Sequence, residues 1–217
     1  MATPRSKEKI LRCAREMFYH IGYQATSVEM IIDHSGVARS NFYYHFKSKE
    51  QVAVAVLDMQ FDEYNDWIAA SLRNPELSPS QRLDMFFSQL CLAQEEMQRL
   101  SGCPFGNFAV TFPGPEEYRM SERPASEETA EKRREREQNE RFRQHISSLF
   151  HSLESALEAC LTEGAAWGEF RGDIPPGELA AFLLATVEGL LILTKTHGDL
   201  THLRSGLVTA QRLVKSN

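Results

Sequence analysis

GYQATSVEMIIDHSGVARSNFYYHFKSKE, residues 22–50, contains two short helical patterns hinged at Gly36. Thr26 and Ser27 are N-cap residue types standing directly before VEMIIDHS, so a helix is predicted to begin there. Val28, Ile31 and Ile32 follow the i, i+3, i+4 spacing that gives a helix one apolar face. Gly36 supplies the positive φ that a helix C-terminus commonly needs, and Val37 is placed to plug a small core. ARSNFYYHF then makes about two helical turns. Phe42 and Phe46 fall on one side of it, with Arg39, Ser40, Tyr43 and Tyr44 largely on the others. Ser48 is positioned to cap a following helix that carries Lys49 and Glu50 in its first turn. This is the layout of a helix-turn-helix, whose second helix is shaped to enter a DNA major groove.

Such a pair needs a platform, and the preceding residues supply it. Ile10, Ala14, Met17, Phe18 and Ile21 recur at three- and four-residue spacing, so residues 6–21 read as an amphipathic helix ended by Gly22. Charge supports the assignment locally. The chain as a whole is acidic, with net charge −6. Residues 1–49 nevertheless carry eight basic residues (Arg5, Lys7, Lys9, Arg12, Arg15, Arg39, Lys47, Lys49) against four acids (Glu8, Glu16, Glu29, Asp33). That stretch is therefore +4 and the remainder −10. A basic head on an acidic body concentrates attraction for phosphate where the helix pair lies.

GY followed by ATSV, an apolar helix, SGV and then NFYYHFKSKE resembles the N-terminal domain of the TetR family of bacterial transcriptional regulators, over residues 7–60. The resemblance implies an all-α fold of about nine helices, with a helix-turn-helix domain at 1–48 and a helical effector-binding and dimerisation domain at 49–217. It further implies a homodimer, a palindromic double-stranded DNA operator, and a small molecule that weakens DNA binding. No cofactor is expected. The chain departs from the family pattern at Ala38, where Ser commonly caps the recognition helix, at Ser40, where Gly is frequent, and at Ile32, where Ala is frequent.

The resemblance carries roles over to this chain residue by residue. Arg39 and Asn41 are the candidates for base-edge contacts, since Arg bonds guanine and Asn bonds adenine bidentately in the major groove. Ser40 is close enough to meet a base or the backbone. Tyr43, Tyr44 and His45 resemble family positions that touch phosphates or thymine methyls. Tyr44 also reads as a half-buried packing residue, and His45 as an internal hydrogen-bond partner. Thr26, Ser27, Lys47 and Lys49 are expected to hold phosphates and so to position the head without reading sequence.

Beyond the head, residues 49–73 contain no Gly or Pro and read as one long helix. Residues 80–100 form another, with Leu83, Phe86, Phe87, Leu90 and Leu92 as its apolar set. SGCPFGNFAVTFPGPEEY follows, where Phe105, Phe108 and Phe112 place three rings in eight residues beside an irregular backbone. Such a segment lines a ligand pocket or packs a core; with Phe86, Cys103 and Trp167 it forms the candidate effector set. The charge run 131–141 reads as a solvated helix face, and a helix is predicted from about residue 139 to 166. Residues 177–197 are apolar on nearly every side, although Glu178, Glu188 and Lys195 interrupt any membrane span. Ala181, Ala185 and Gly189 at four-residue spacing, with Leu193, are the candidate dimer interface, joined by a last helix at about 199–215.

The function classes narrow accordingly. Cys13, Cys91, Cys103 and Cys160 show no paired or metal-type spacing, which points to a reducing cytoplasm. Cys103, between Gly102 and Pro104, reads as a small apolar filler or as an accessible thiol. His197 and His202 are five apart and off a common helix face, so no metal site is expected. No nucleophile–base motif or Gly-rich phosphate loop points to an enzyme. A ligand-responsive repressor leads, with an effector-independent regulator or activator as the alternative.

Overall fold

The computed structural model describes residues 4–96, 102–109 and 129–216. Nine helices occur among them: α1 Pro4–His20, α2 Val28–Ser35, α3 Arg39–His45, α4 Lys49–Ala70, α5 Pro79–Glu96, α6 Pro104–Ala109, α7 Ala130–Ala166, α8 Pro176–His197 and α9 Thr201–Val214. The chain packs as two compact units, one of residues 1–60 with 104–147, the other of residues 61–103 with 148–217. The division expected at residue 48 does not coincide with these packing units, because α6 and the first part of α7 join α1–α3.

In the first unit, Ile10, Ala14, Met17 and Phe18 of α1 are buried with Ile31, Ile32, Val37, Phe42 and Phe46. Ile21 is 46% exposed, against the sequence reading. The helix ends one residue earlier, so the periodic stripe no longer applies to it. Around Tyr23 three rings converge: Phe18 at 5.4 Å, Phe108 of α6 at 5.9 Å and Phe142 of α7 at 6.0 Å, with Phe18 and Phe108 in edge contact at 5.8 Å. Phe108 is therefore core of this unit.

In the second unit, α5, the C-terminal part of α7, and α8 and α9 bury Leu83, Phe86, Leu90, Leu149, Leu153, Leu157, Leu183, Val187, Leu191, Leu203 and Leu207. Leu92 is exposed, off the Phe86–Leu90 face. Arg82 is buried with its charge met: Nε donates to Asn74 O at 2.6 Å and the guanidinium bridges Glu163 at 2.6 Å. Glu169 caps the start of α5, accepting from the Ser80 amide at 2.7 Å. α7 begins at Ala130, about two turns before the expected start, with Arg133, Arg134, Arg136 and Glu137 of the charge run exposed. Residues 113–128, which precede it, and Phe112 lie outside the described residues.

Gly164 lies in the last turn of α7. A Cβ there would come within 2.1 Å of the Phe170 ring and 3.0 Å of Pro79. Phe170 is buried, and its backbone pairs with Lys215 in an isolated bridge. Gly164→Ala is therefore expected to destabilise the protein by about 1–3 kcal/mol through overpacking, read from urea unfolding. An unchanged midpoint would show that Phe170 moves freely.

α8 is apolar on nearly every side, as expected, but is not buried on all of them. Leu179, Ala180, Leu183, Val187, Leu191 and Thr194 face inward, while Ala181, Phe182, Ala185, Gly189, Ile192 and Leu193 are exposed. It is the one described helix long and apolar enough to cross a membrane, yet its inward stripe packs along α9 as a core helix does. Gly206 of α9 permits the close approach, since a Cβ there would meet Leu190 at 2.4 Å. Between the two helices runs a shallow groove of about 270 Å³, lined by Phe182, Thr186, Gly206, Thr209 and Leu213 among others. His197 and His202 stack at 4.8 Å across the turn at Gly198, which spacing along one helix did not reveal.

Candidate nucleic-acid interface

The hinge forms as its residue types dictate. Ser27 takes an extended conformation, and its hydroxyl accepts from the Met30 amide at 3.1 Å, which fixes the start of α2. Gly36 ends α2 in the left-handed region at φ 64°. Ala38 gives α3 no side-chain cap; the Asn41 and Phe42 amides bond its carbonyl at 2.9 and 3.0 Å. Ser48 accepts from the Gln51 amide, and Gln51 Oε1 accepts from the Lys47 amide at 2.9 Å, so α4 begins with reciprocal caps.

Two sides of α3 result. Phe42 and Phe46 are buried, with ring centroids 6.1 Å apart. Arg39, Ser40, Tyr43 and Tyr44 are exposed, Asn41 half-exposed. Tyr44 reaches 70% exposure, which sets aside its packing role. Arg39 lies 3.5 Å from Glu29 of α2, both open to solvent. Such a surface pair is weak and leaves the guanidinium available to a stronger partner. Glu29 was not anticipated as a neighbour; its place in the first turn of α2 was the available signal. His45 has Nε2 buried without a partner among the described residues, and its ring stands edge-on to Tyr44 at 5.0 Å. Lys47 donates its ammonium to Tyr43 O, at an exposed position where phosphate can compete for it.

Two expected phosphate contacts point inward. Thr26 is 1% exposed, and its hydroxyl donates to Gly22 O at 2.8 Å, which tightens the turn after α1. Lys49 donates to Tyr23 O at 2.9 Å and also lies over the Tyr23 ring at 4.3 Å. Burial pushes its pKa below the usual lysine value, with Glu50 opposing. Glu50 in turn accepts from the Tyr23 hydroxyl at 3.4 Å, and burial followed by Glu50 raises the tyrosine pKa. Lys49→Ala is therefore expected to lower stability by about 1 kcal/mol while leaving the salt dependence of DNA binding nearly unchanged. A salt slope smaller by about one unit would return Lys49 to the phosphate contacts.

The described candidate effector residues divide between the two units. Phe86 and Cys103 are buried in the second unit, and Phe105 and Phe108 in the first. Trp167 is 61% exposed at the end of α7, where Phe170 closes the core in its place. Cys103 is buried, so it is not an accessible thiol.

A three-helix head with one apolar and one polar recognition face, joined to a helical body, defines a helix-turn-helix DNA-binding regulator. Residues 10–56 match the family described as "Bacterial regulatory proteins, tetR family", and residues 136–209 match "Tetracyclin repressor-like, C-terminal domain". The chain is 25% identical over 195 residues to the transcriptional repressor DhaR of a Mycobacterium species, covering 90% of this chain and 85% of that one. It is 24% identical over 211 residues to the repressor ComR of Escherichia coli, covering 95% and 88%. A TetR-family regulator from Agrobacterium tumefaciens superposes with a TM-score of 0.76 at 20% identity, over 98% of each chain. The regulatory protein TetR from Rhodobacter sphaeroides gives 0.75 at 19% identity, over 95% and 97%. The chain belongs to the TetR family and is a helix-turn-helix transcriptional regulator.

Proposed function

We propose that the protein is a cytoplasmic repressor, without enzymatic activity, that binds a palindromic duplex operator as a homodimer and is released by a small molecule. The observation that carries this reading is the face of α3: Arg39, Ser40, Asn41, Tyr43 and Tyr44 are presented outward by a helix whose other side is anchored through Phe42 and Phe46. Arg39 and Asn41 read base edges; Ser27, Tyr43, Tyr44, His45 and Lys47 position the head on the backbone. Two copies place their reading helices 34–36 Å apart, or a multiple of it, to match half-sites one turn apart. The second copy docks on α8 and α9, where Ala181, Ala185, Gly189 and Leu193 line an exposed apolar face. The effector is held among the helices of the second unit and favours a conformation in which the reading helices are misplaced. A coupling of about 1–3 kcal/mol shifts operator affinity about 5- to 150-fold.

The test is a gel-shift series on DNA upstream of the protein's own reading frame, with random duplex as competitor, at stepped salt. A dimer-sized shift resisting random competitor is expected. Equal affinity for both DNAs at every salt concentration would remove sequence reading from α3.

A further inference from the structure

An acid stands at the edge of a face built to meet DNA. Glu29, in the first turn of α2, has Oε1 3.5 Å from an Nη of Arg39, the first residue of α3. Both side chains are more than half exposed, so neither is there to fill a core. The start of α2 gains from a nearby negative charge. That gain requires no partner on α3, and Ser27 already satisfies the Met30 amide of the same turn. Attraction for phosphate argues against the acid outright. Duplex DNA presents one negative charge per about 1.7 Å of its axis, and a carboxylate beside α3 opposes it. Glu29 therefore lowers affinity for any duplex, and its place beside Arg39 needs another cause.

The chemistry of the guanidinium supplies one. Arginine carries its N–H donors in a rigid planar fork, so a carboxylate along one edge leaves donors on another for O6 and N7 of guanine. In water the pair is loose: 3.5 Å exceeds the about 2.7–2.9 Å of a charge-assisted bond, and solvent screens it. In a major groove from which water is expelled, the attraction strengthens as the effective dielectric falls. The carboxylate then fixes the plane of the fork and turns it from the backbone, whose phosphates the acid repels. Ala38, directly before Arg39, makes no side-chain bond at the start of α3, so among the described residues Glu29 is the group placed to aim the guanidinium.

We propose that Glu29 is a positioning residue for Arg39, lowering affinity for DNA in general while sharpening discrimination at the base pair that Arg39 reads. The inference rests on the reading of Arg39 as a base-edge contact. On random duplex, Glu29 keeps the guanidinium off phosphate. On operator, guanine accepts both bonds of the fork while the carboxylate steadies its far edge. Specificity is a difference of affinities, and a repulsive element against the wrong partner raises it as an attractive one for the right partner does.

Fluorescence anisotropy with the full-length parent, Glu29→Gln, Glu29→Asp, Arg39→Ala and the Glu29→Gln/Arg39→Ala double variant tests the proposal. The duplexes are the DNA upstream of the protein's own reading frame, that DNA with each base pair varied in turn, and random duplex. Glu29→Gln is expected to bind random duplex about three- to fivefold more tightly, with a salt slope steeper by about one unit as Arg39 takes up a phosphate. Its operator affinity should rise by less than about twofold, and its discrimination at the base pair read by Arg39 should fall about threefold or more. Glu29→Asp keeps the charge but withdraws the carboxylate by one methylene. It should hold random-duplex affinity at the parent value and still lose discrimination. On the Arg39→Ala background, Glu29→Gln should bring neither a steeper slope nor a further loss of discrimination, because the group it aims is gone. Three results would overturn the proposal: Glu29→Gln tightening operator and random duplex equally with every base preference intact, its steeper slope persisting without Arg39, or Glu29→Asp discriminating as the parent does. A parent protein indifferent between its upstream DNA and random duplex sinks the regulator reading as well. A parent preference that Glu29→Gln leaves untouched sinks this inference alone.

Discussion

Replacing Arg39 or Asn41 with Ala will cost about 1–3 kcal/mol at one base pair of the operator, a loss of about 5- to 150-fold. The effect should appear when each operator position is varied in turn at fixed salt. At the base pair that the side chain reads, the variant protein no longer distinguishes the four bases; elsewhere it discriminates as the parent does. The reason is geometric. A guanidinium or a carboxamide makes two parallel bonds to one purine edge, and the wrong base leaves a donor or acceptor unpaired in a desolvated groove. Arg39 carries an added expectation from its 3.5 Å approach to Glu29. Glu29→Gln should tighten binding to all duplexes modestly, by freeing the guanidinium and removing a negative charge. A uniform loss across operator and random DNA in both Ala variants would assign these residues to the phosphate backbone.

Ala185→Arg is expected to give monomers in sedimentation velocity. Ala185 lies on the exposed face of α8 with Ala181, Gly189 and Leu193, where small residues let a partner helix come close. A guanidinium at the centre of that face would have to be buried without a counter-charge, at a cost beyond what neighbouring apolar contacts supply. A monomer meets one half-site at a time, so operator affinity should fall by about two to four orders of magnitude with the loss of effective concentration. Circular dichroism should keep the parent helix content, since the position is solvent-facing in the single chain. Persistent dimers would move the interface off this face.

The head was legible because its signals are local. Ser27 caps, Gly36 turns, and Phe42 and Phe46 recur at a four-residue interval, and each statement concerns a few adjacent residues. What escaped depended on which backbone oxygens the fold brings within reach of a side chain, near or far along the chain. Thr26 has the type of a phosphate ligand, but its hydroxyl is spent on Gly22; Lys49 has the type of another, but Tyr23, twenty-six residues away, claims it. The start of α7 escaped for a different reason. Residues 130–138 have no apolar stripe to read, while Glu, Arg, Lys and Gln are good helix formers whose propensity extends the helix through the charge run. For the effector set the sequence signal is burial alone: ring-rich segments announce it, and Phe105 and Phe108 are buried, in the unit of the head.

The ring cluster at Tyr23 has a consequence for how such regulators diversify. Phe108 and Phe142, far along the chain, complete the wall against which the turn after α1 rests. Recombination that grafts a foreign reading module onto this body at residue 48 would hand Phe108 and Phe142 a mismatched socket. Exchange of DNA specificity by point substitution on α3 leaves that joint intact, so new operators are more accessible to this lineage through the surface of one short helix than through shuffling of whole modules.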